Sequence, residues 1–309
     1  MDAAAGRRDG TTCSHKRAAV GHRHWWPADQ TTNDIIGGQP ASLRGGAGFG
    51  PGKVRQAFAL NGDAQFVEVP DDPSLDVGTN DFTFEVWVRF NTLAGEQVIA
   101  EKYIETVSPA RTGWTLTKMV DNTIRVALAG GGDVDSLPAP TVTAASNVWT
   151  QVAIRRSGNT FTTFQDGVPT AAGTFSRNLD CTSSLKFGHR GNPSDTPGSA
   201  DTRNFWLNGA IDEPALYNRA LTDQEIAALY VADSAGKPRP ALTLFFVNGG
   251  MRLSWPGVYD TFSVFSCTNL ATGVWLPETN PISTNGNWKE VFFDPPMSPA
   301  KFFQLKSGN

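Results

Sequence analysis

The stretch Asp81-Phe-Thr-Phe-Glu-Val-Trp-Val-Arg-Phe90 alternates without interruption. Phe82, Phe84, Val86, Val88 and Phe90 fall on one face and Thr83, Glu85, Trp87 and Arg89 on the other, because a strand turns successive side chains to opposite sides. That pattern predicts a half-buried strand of an antiparallel sheet. Similar runs fill the chain from about residue 56 to 218: Gln65 to Val69, Val98 to Lys102, Trp114 to Met119, Thr123 to Leu128, Trp149 to Arg155, Thr160 to Gln165, Ser184 to Gly188 and Trp206 to Tyr217. Turns such as Gly130-Gly-Gly-Asp133 and Asp166-Gly167 punctuate them. Many short strands with almost no helix predict an all-β protein, a two-sheet antiparallel jelly-roll sandwich.

One helix stands out after the last of these runs. In Leu221-Thr-Asp-Gln-Glu-Ile226, Thr222 and Glu225 have capping-box spacing, so that hydroxyl and carboxylate each satisfy an orphan backbone N–H. Ile226, Leu229 and Tyr230 then share a face, and Gly236 with Pro238 stops the helix. Lys237-Pro-Arg-Pro240 reads as a stiff connection, since proline fixes φ and restrains the residue before it. Beyond it, alternation returns in Leu242 to Val247, Met251 to Trp255, Phe262 to Ser266, Val274 to Leu276 and Lys301 to Leu305, enough for a small second β-sandwich. The expected division is a disordered leader at 1–24, a jelly roll at 25–237, a linker at 238–240 and a small β-sandwich at 241–309.

The length of 309 residues suits two domains better than one. A composition of 31 Gly, 20 Pro, 19 Phe and 9 Trp with only 18% charged residues favours strands and turns. The net charge of −4, with no basic cluster, excludes the main electrostatic basis for a nucleic-acid partner. No run approaches the ~18 apolar residues of a membrane span, so no membrane insertion is expected. Cys13, Cys181 and Cys267 lie far apart and lack metal-type spacing, which argues against a disulfide framework and leaves the redox compartment open. The first 24 residues carry basic side chains but no apolar core, so a signal peptide is not visible. Such a leader fits either a misplaced start with lost upstream sequence or a cytoplasmic chain with a floppy tail.

Catalytic constellations are absent. A jelly-roll glycoside hydrolase needs two carboxylates facing one groove, conveniently on a Glu-x-Asp-x-x-Glu strand, and no such motif exists. Asp212-Glu213 are consecutive and so are expected on opposite faces, while Asp133-Val-Asp135 lies in a Gly-rich turn. His15, His22 and His24 fall in the leader, leaving His189 alone in the domain, and no Gly-x-Ser-x-Gly elbow accompanies it. His22-x-His24 is read as incidental rather than as a metal site. Most of Trp25, Trp26, Trp87, Trp114, Trp149 and Trp206 are expected to fill core volume, and a sugar platform among them cannot be chosen by position alone.

Several separated motifs resemble, in order, the laminin-G-like, concanavalin A-like lectin/glucanase domains of secreted bacterial proteins. They are Trp25-Trp-Pro-Ala-Asp-Gln-Thr-Thr-Asn-Asp-Ile-Ile-Gly-Gly38, Phe49-Gly-Pro-Gly-Lys-Val-Arg-Gln-Ala-Phe58, Asn61-Gly62 with Phe66-Val-Glu-Val-Pro70, the Phe82 to Phe90 strand, Asp166-Gly167, and Gly209-Ala-Ile-Asp-Glu-Pro-Ala-Leu-Tyr-Asn-Arg-Ala-Leu-Thr222. The tail, through Leu253-Ser-Trp-Pro256, Thr268-Asn-Leu270, Trp275 and Phe302-Phe-Gln-Leu305, is similar to a short β-module that follows such domains. The resemblance implies a non-catalytic binding module of an extracellular or cell-surface protein, with a polysaccharide or glycoconjugate as partner. A structural adhesion or spacer unit and a glycoside hydrolase are the alternatives. The resemblance also implies calcium, with Asp34 and Asp212 as its ligands; against that, Asn61-Gly-Asp-Ala-Gln-Phe66 lacks acidic positions that related domains carry near that edge. The alternative for Asp34 is a side-chain turn onto its own backbone, and for Asp212 a pair with Arg219 or a backbone donor.

Overall fold

The computed structural model describes residues 22–104, 111–132, 134–138, 143–190, 205–237, 241–247, 250–256, 262–286, 288–294 and 301–307. The first unit runs β1 (His22–Trp25), β2 (Ser42–Arg44), β3 (Gly48–Pro51), β4 (Gln56–Asn61), β5 (Phe66–Val69), β6 (Phe82–Phe90), β7 (Gln97–Ile104), β8 (Thr112–Lys118), β9 (Ile124–Gly130), β10 (Val134–Ser136), β11 (Trp149–Ser157), β12 (Thr160–Gln165), β13 (Val168–Thr174), β14 (Leu185–Phe187) and β15 (Asn208–Tyr217), then helix α1 (Asp223–Val231). One sheet has the order β13-β12-β11-β6-β15-β4-β3, with β1 also on β15; the second has the order β10-β9-β8-β7-β14-β5-β2. The sheets form a jelly-roll sandwich.

The inward row of β6 occupies its middle. Phe82, Phe84, Val86, Val88 and Phe90 join Trp114, Leu116 and Phe187 of the second sheet in one buried cluster. The opposite row is not the solvated face that simple alternation predicts. Thr83, Glu85 and Trp87 are buried as well, because α1 lies over this side and Tyr230 stacks on Trp87 at 5.7 Å. The helix starts as expected, with Thr222 and Glu225 forming the reciprocal capping box.

The first sheet begins inside the segment expected as a leader. His22–Trp25 forms β1 and pairs with β15, so the last part of the 1–24 segment belongs to the sheet. Alternation is unreadable in so short a strand, and its partner residues lie 190 or more positions away. Residues 238–240, the expected linker, lie outside the described residues.

The second unit comprises β16 (Thr243–Val247), β17 (Gly250–Pro256), β18 (Phe262–Cys267), β19 (Leu276–Pro277), β20 (Ile282–Asn285), β21 (Trp288–Phe293) and β22 (Phe302–Ser307). They make two sheets, β16-β17-β21-β20 and β19-β18-β22. Their buried Met251, Leu253, Trp255, Phe262, Val264, Val291 and Phe293 form a cluster that continues into Trp25, Tyr217, Leu221, Ile226 and Leu229 of the first unit.

Candidate functional site

The outward face of the second sheet carries a concavity rich in polar side chains. In β8, Trp114 and Leu116 point into the core, which turns Thr115 and Thr117 outward. Thr115 stands between Glu101 of β7 and Ala127 of β9, and Thr117 is paired with Arg125. Above them lies a cavity of about 230 Å³ lined by Glu96, Tyr103, Thr115, Thr117, Arg125 and Arg190, together with Met119, Ala127, Val134 and Ser136.

Arg190 organises this cavity. It approaches Glu96 to 3.5 Å and Glu101 to 3.7 Å, and its Nη2 donates to Thr117 Oγ1 at 3.5 Å. Its guanidinium also lies 4.6 Å from the Phe205 ring centre. The two threonine hydroxyls are hydrogen-bonded to each other at 3.0 Å. Arg125 is held to the side by Asp121 and by Thr123, whose Oγ1 accepts from its Nε at 2.8 Å. Beside Arg190, His189 is buried and stacks on Trp206 at 3.9 Å, with Phe66 at 4.7 Å. Trp206 and Phe66 are half-buried. Hydroxyls, carboxylates and a guanidinium next to aromatic surface can satisfy a ligand's hydroxyl groups and stack on its apolar ring face.

Asp34 and Asp212 lie elsewhere, around Trp25. Asp34 Oδ1 accepts from the backbone N–H groups of Trp25, Ile36 and Gly37 at 2.9 to 3.0 Å. Its Oδ2 accepts from Gln39 N–H at 3.1 Å and lies 2.6 Å from His24 Nδ1. Five protein groups thus crowd a carboxylate with about four lone-pair directions. A cation at Asp34 would have to displace them, so this residue does not suit a metal ligand. His24 is correspondingly not incidental: it is buried, and its ring bridges Asp34 and the Ser74 carbonyl.

Asp212 is different. Its Oδ2 accepts from Val54 N–H at 2.8 Å, while its Oδ1 is buried with no hydrogen-bond partner. Burial pushes its pKa up to about 8, and neighbouring Glu213 adds to the shift. The two carboxylates do not fall on opposite faces. A β-bulge interrupts β15 after Asp212, with Glu213 at φ 58, and turns both toward the same buried cluster. There Lys237 Nζ lies 2.6 Å from Glu85 Oε1 and 3.2 Å from Glu213 Oε2. Trp25 joins the segments, since its backbone N–H reaches Asp34 and its indole N–H reaches Glu213 at 2.9 Å. The pairing of Asp212 with Arg219 does not occur; Arg219 instead pairs with Glu225 at 2.7 Å. Among the described residues no group of three or more His, Cys, Asp or Glu side chains could hold a metal ion.

The family model described as the concanavalin A-like lectin/glucanases superfamily matches residues 61–227, more than half of the chain. The chain belongs to this family. Among solved structures, this concanavalin A-like chain is similar to domain 4 of AbnA, an extracellular arabinanase from Geobacillus stearothermophilus, in complex with arabinotriose. That match has TM-score 0.54 and 16% identity, covering 67% of this chain and 97% of that one. The binding domain of Paraclostridial Mosquitocidal Protein 1 gives TM-score 0.55 at 15% identity, covering 87% and 71%. The binding domain of botulinum neurotoxin DC in complex with SialylT gives 0.50 at 12% identity, covering 75% and 60%. At such identities the likeness is one of fold. No curated protein matches the chain.

Within the concanavalin A-like sandwich, Trp25, Trp26, Trp87 and Trp114 are buried, and Trp149 and Trp206 are half-buried. Sequence reading did not pick out Arg190, Thr115, Thr117 or Glu96. The signal available was the outward parity of Thr115 and Thr117 opposite Trp114 and Leu116; the contribution of Arg190, 73 residues from Thr117, is visible only in three dimensions. Among the described residues no helix is long and apolar enough to cross a membrane.

Proposed function

We propose that this concanavalin A-like chain is a non-catalytic carbohydrate-binding module of an extracellular or surface protein, and that the cavity over β7 to β9 receives the sugar. The observation that carries this reading is the convergence of Thr117, Arg190 and Glu96 with the Tyr103 ring on one concavity. Saccharides in complex with proteins of the same fold, arabinotriose among them, support a sugar as the ligand. The acidic groups nearest the cavity, Glu96 and Glu101, both pair with Arg190, an arrangement suited to holding hydroxyls rather than to dividing acid and base roles between two carboxyls.

A glycan array probed with the full-length chain tests the proposal. One or more oligosaccharides should bind, and Arg190→Met should weaken binding about tenfold or more, the effect of losing a charged hydrogen-bonding group. Thr117→Val, nearly isosteric, should weaken it less. An array with no hits favours the spacer reading, and hits unaffected by either substitution place the sugar elsewhere.

Calcium forms a separate part of the proposal, with Asp212 rather than Asp34 as the carboxylate that would hold it. The ion would displace the proton that burial holds on Asp212 and, by binding the folded state alone, would stabilise it by mass action. Melting in millimolar calcium should exceed melting in chelator by about 2–8 °C. Asp212→Ala should abolish the difference, whereas Asp34→Ala should lower both curves together by removing the acceptor of four backbone N–H groups. Identical curves for the unmodified protein in calcium and in chelator contradict this part.

A further inference from the structure

A second groove lies on the opposite side of the sandwich, on the outward face of the first sheet. Ala59 of β4, Ala210 of β15 and Arg89 of β6 stand side by side across three strands, with Trp149 of β11 next in the row. The groove has a volume of about 360 Å³; Ala59 and Ala210 contribute to its lining, and Asn61, Asn91, Asn208 and Arg89 supply polar groups to it. None of its lining residues is acidic.

Arg89 sets this groove apart. Its guanidinium carbon lies over the Trp149 ring, 5.3 Å from the ring centre. Its Nε is buried with no hydrogen-bond partner, and among the described residues no carboxylate pairs with it. The amides beside it are partly committed. Asn91 Nδ2 donates to Asn208 Oδ1 at 3.0 Å, which leaves the Asn208 amide N–H groups, and Asn61 Oδ1 accepts from Asp63 N–H at 2.9 Å, which leaves the Asn61 amide N–H groups. A planar guanidinium with unfilled donors matches a carboxylate in a two-point contact, and flanking amides match hydroxyls.

We propose that this groove binds the carboxylate of an acidic sugar, a uronic acid unit, through Arg89, with Asn61 and Asn208 donating to the same ligand. The site is independent of the cavity on the second sheet, so either can exist without the other.

The test is a titration of the full-length chain with glucuronate, glucose and inorganic sulfate, followed by NMR at the Arg89 Nε–H and the Asn208 side-chain amide. Glucuronate should shift both signals with saturation in the millimolar range, and glucose should leave them in place. Arg89→Gln should weaken glucuronate binding at least tenfold. Arg89→Lys, which keeps the charge but loses the fork, should fall between. Absence of a glucuronate shift, or equal binding by Arg89→Gln, overturns the proposal. Sulfate binding as tightly as glucuronate would reveal a site for free anions and overturn the saccharide assignment.

Discussion

Phe84→Ala is expected to destabilise the sandwich by about 3–5 kcal/mol, the cost of removing a large buried ring together with the cavity left behind. Phe84 is fully buried at the centre of β6, 5.1 Å from the Trp114 ring and 6.3 Å from Phe187, so the vacancy would open between the two sheets. The backbone there cannot easily collapse, because β6 is hydrogen-bonded to β11 on one side and β15 on the other. Urea denaturation read by tryptophan fluorescence measures the loss. Val120→Ala, at a position 74% exposed, supplies the control and should stay within about 0.5 kcal/mol. A Phe84→Ala loss as small as that of the control would mean that the strand faces the other way.

Lys237→Met should cost a similar amount, about 3–5 kcal/mol, for a different reason. Lys237 is buried between Glu85 and Glu213, donates to the Glu213 carbonyl at 2.8 Å and lies 5.2 Å from the Trp25 ring centre. Removing it strands two carboxylates away from water with no countercharge. Replacing Glu85 and Glu213 by Gln in the same chain should therefore recover most of the loss, since the penalty belongs to the unpaired charges and not to a missing contact. Burial pulls the Lys237 pKa down, but the flanking Glu85 and Glu213 outweigh it and hold the amine above the ordinary lysine value. With the folded pKa raised, the stabilisation is complete below the ordinary lysine pKa and is lost as pH rises through the folded one. The difference between Lys237→Met and the unmodified protein should accordingly be constant across neutral pH and shrink only under strongly alkaline conditions. A triple variant no more stable than Lys237→Met alone contradicts this account of the cluster.

The parts of the fold that were legible in the sequence are those encoded by local patterns. The alternation of Phe82 to Phe90 located the central strand and its inward face, and the spacing of Thr222 and Glu225 located the helix start. Weakly patterned edges were not legible: β13 contains Pro169 and small residues, and β20 and β21 form a hairpin whose first arm, Ile-Ser-Thr-Asn, reads as a loop. Parity also failed at Asp212-Glu213, because a bulge inserts an extra residue and no local signature announces it. His24 was misplaced for a related reason, since its buried role depends on the Asp34 loop and the Ser74 carbonyl folding over it. The candidate sugar cavity lies further from sequence reading still. It draws Arg190, Thr117 and Glu96 from three separate segments, and only the register of the second sheet assembles them.

The most direct test of the central claim is to map a bound oligosaccharide from the glycan array onto the chain by backbone chemical-shift perturbation. The account predicts saturable shifts concentrated at Tyr103, Thr115, Thr117 and Arg190, extending to Trp206, with the second unit unchanged. Shifts confined to the β16 to β22 unit, or absent from β7 to β9 while the sugar demonstrably binds, would contradict it.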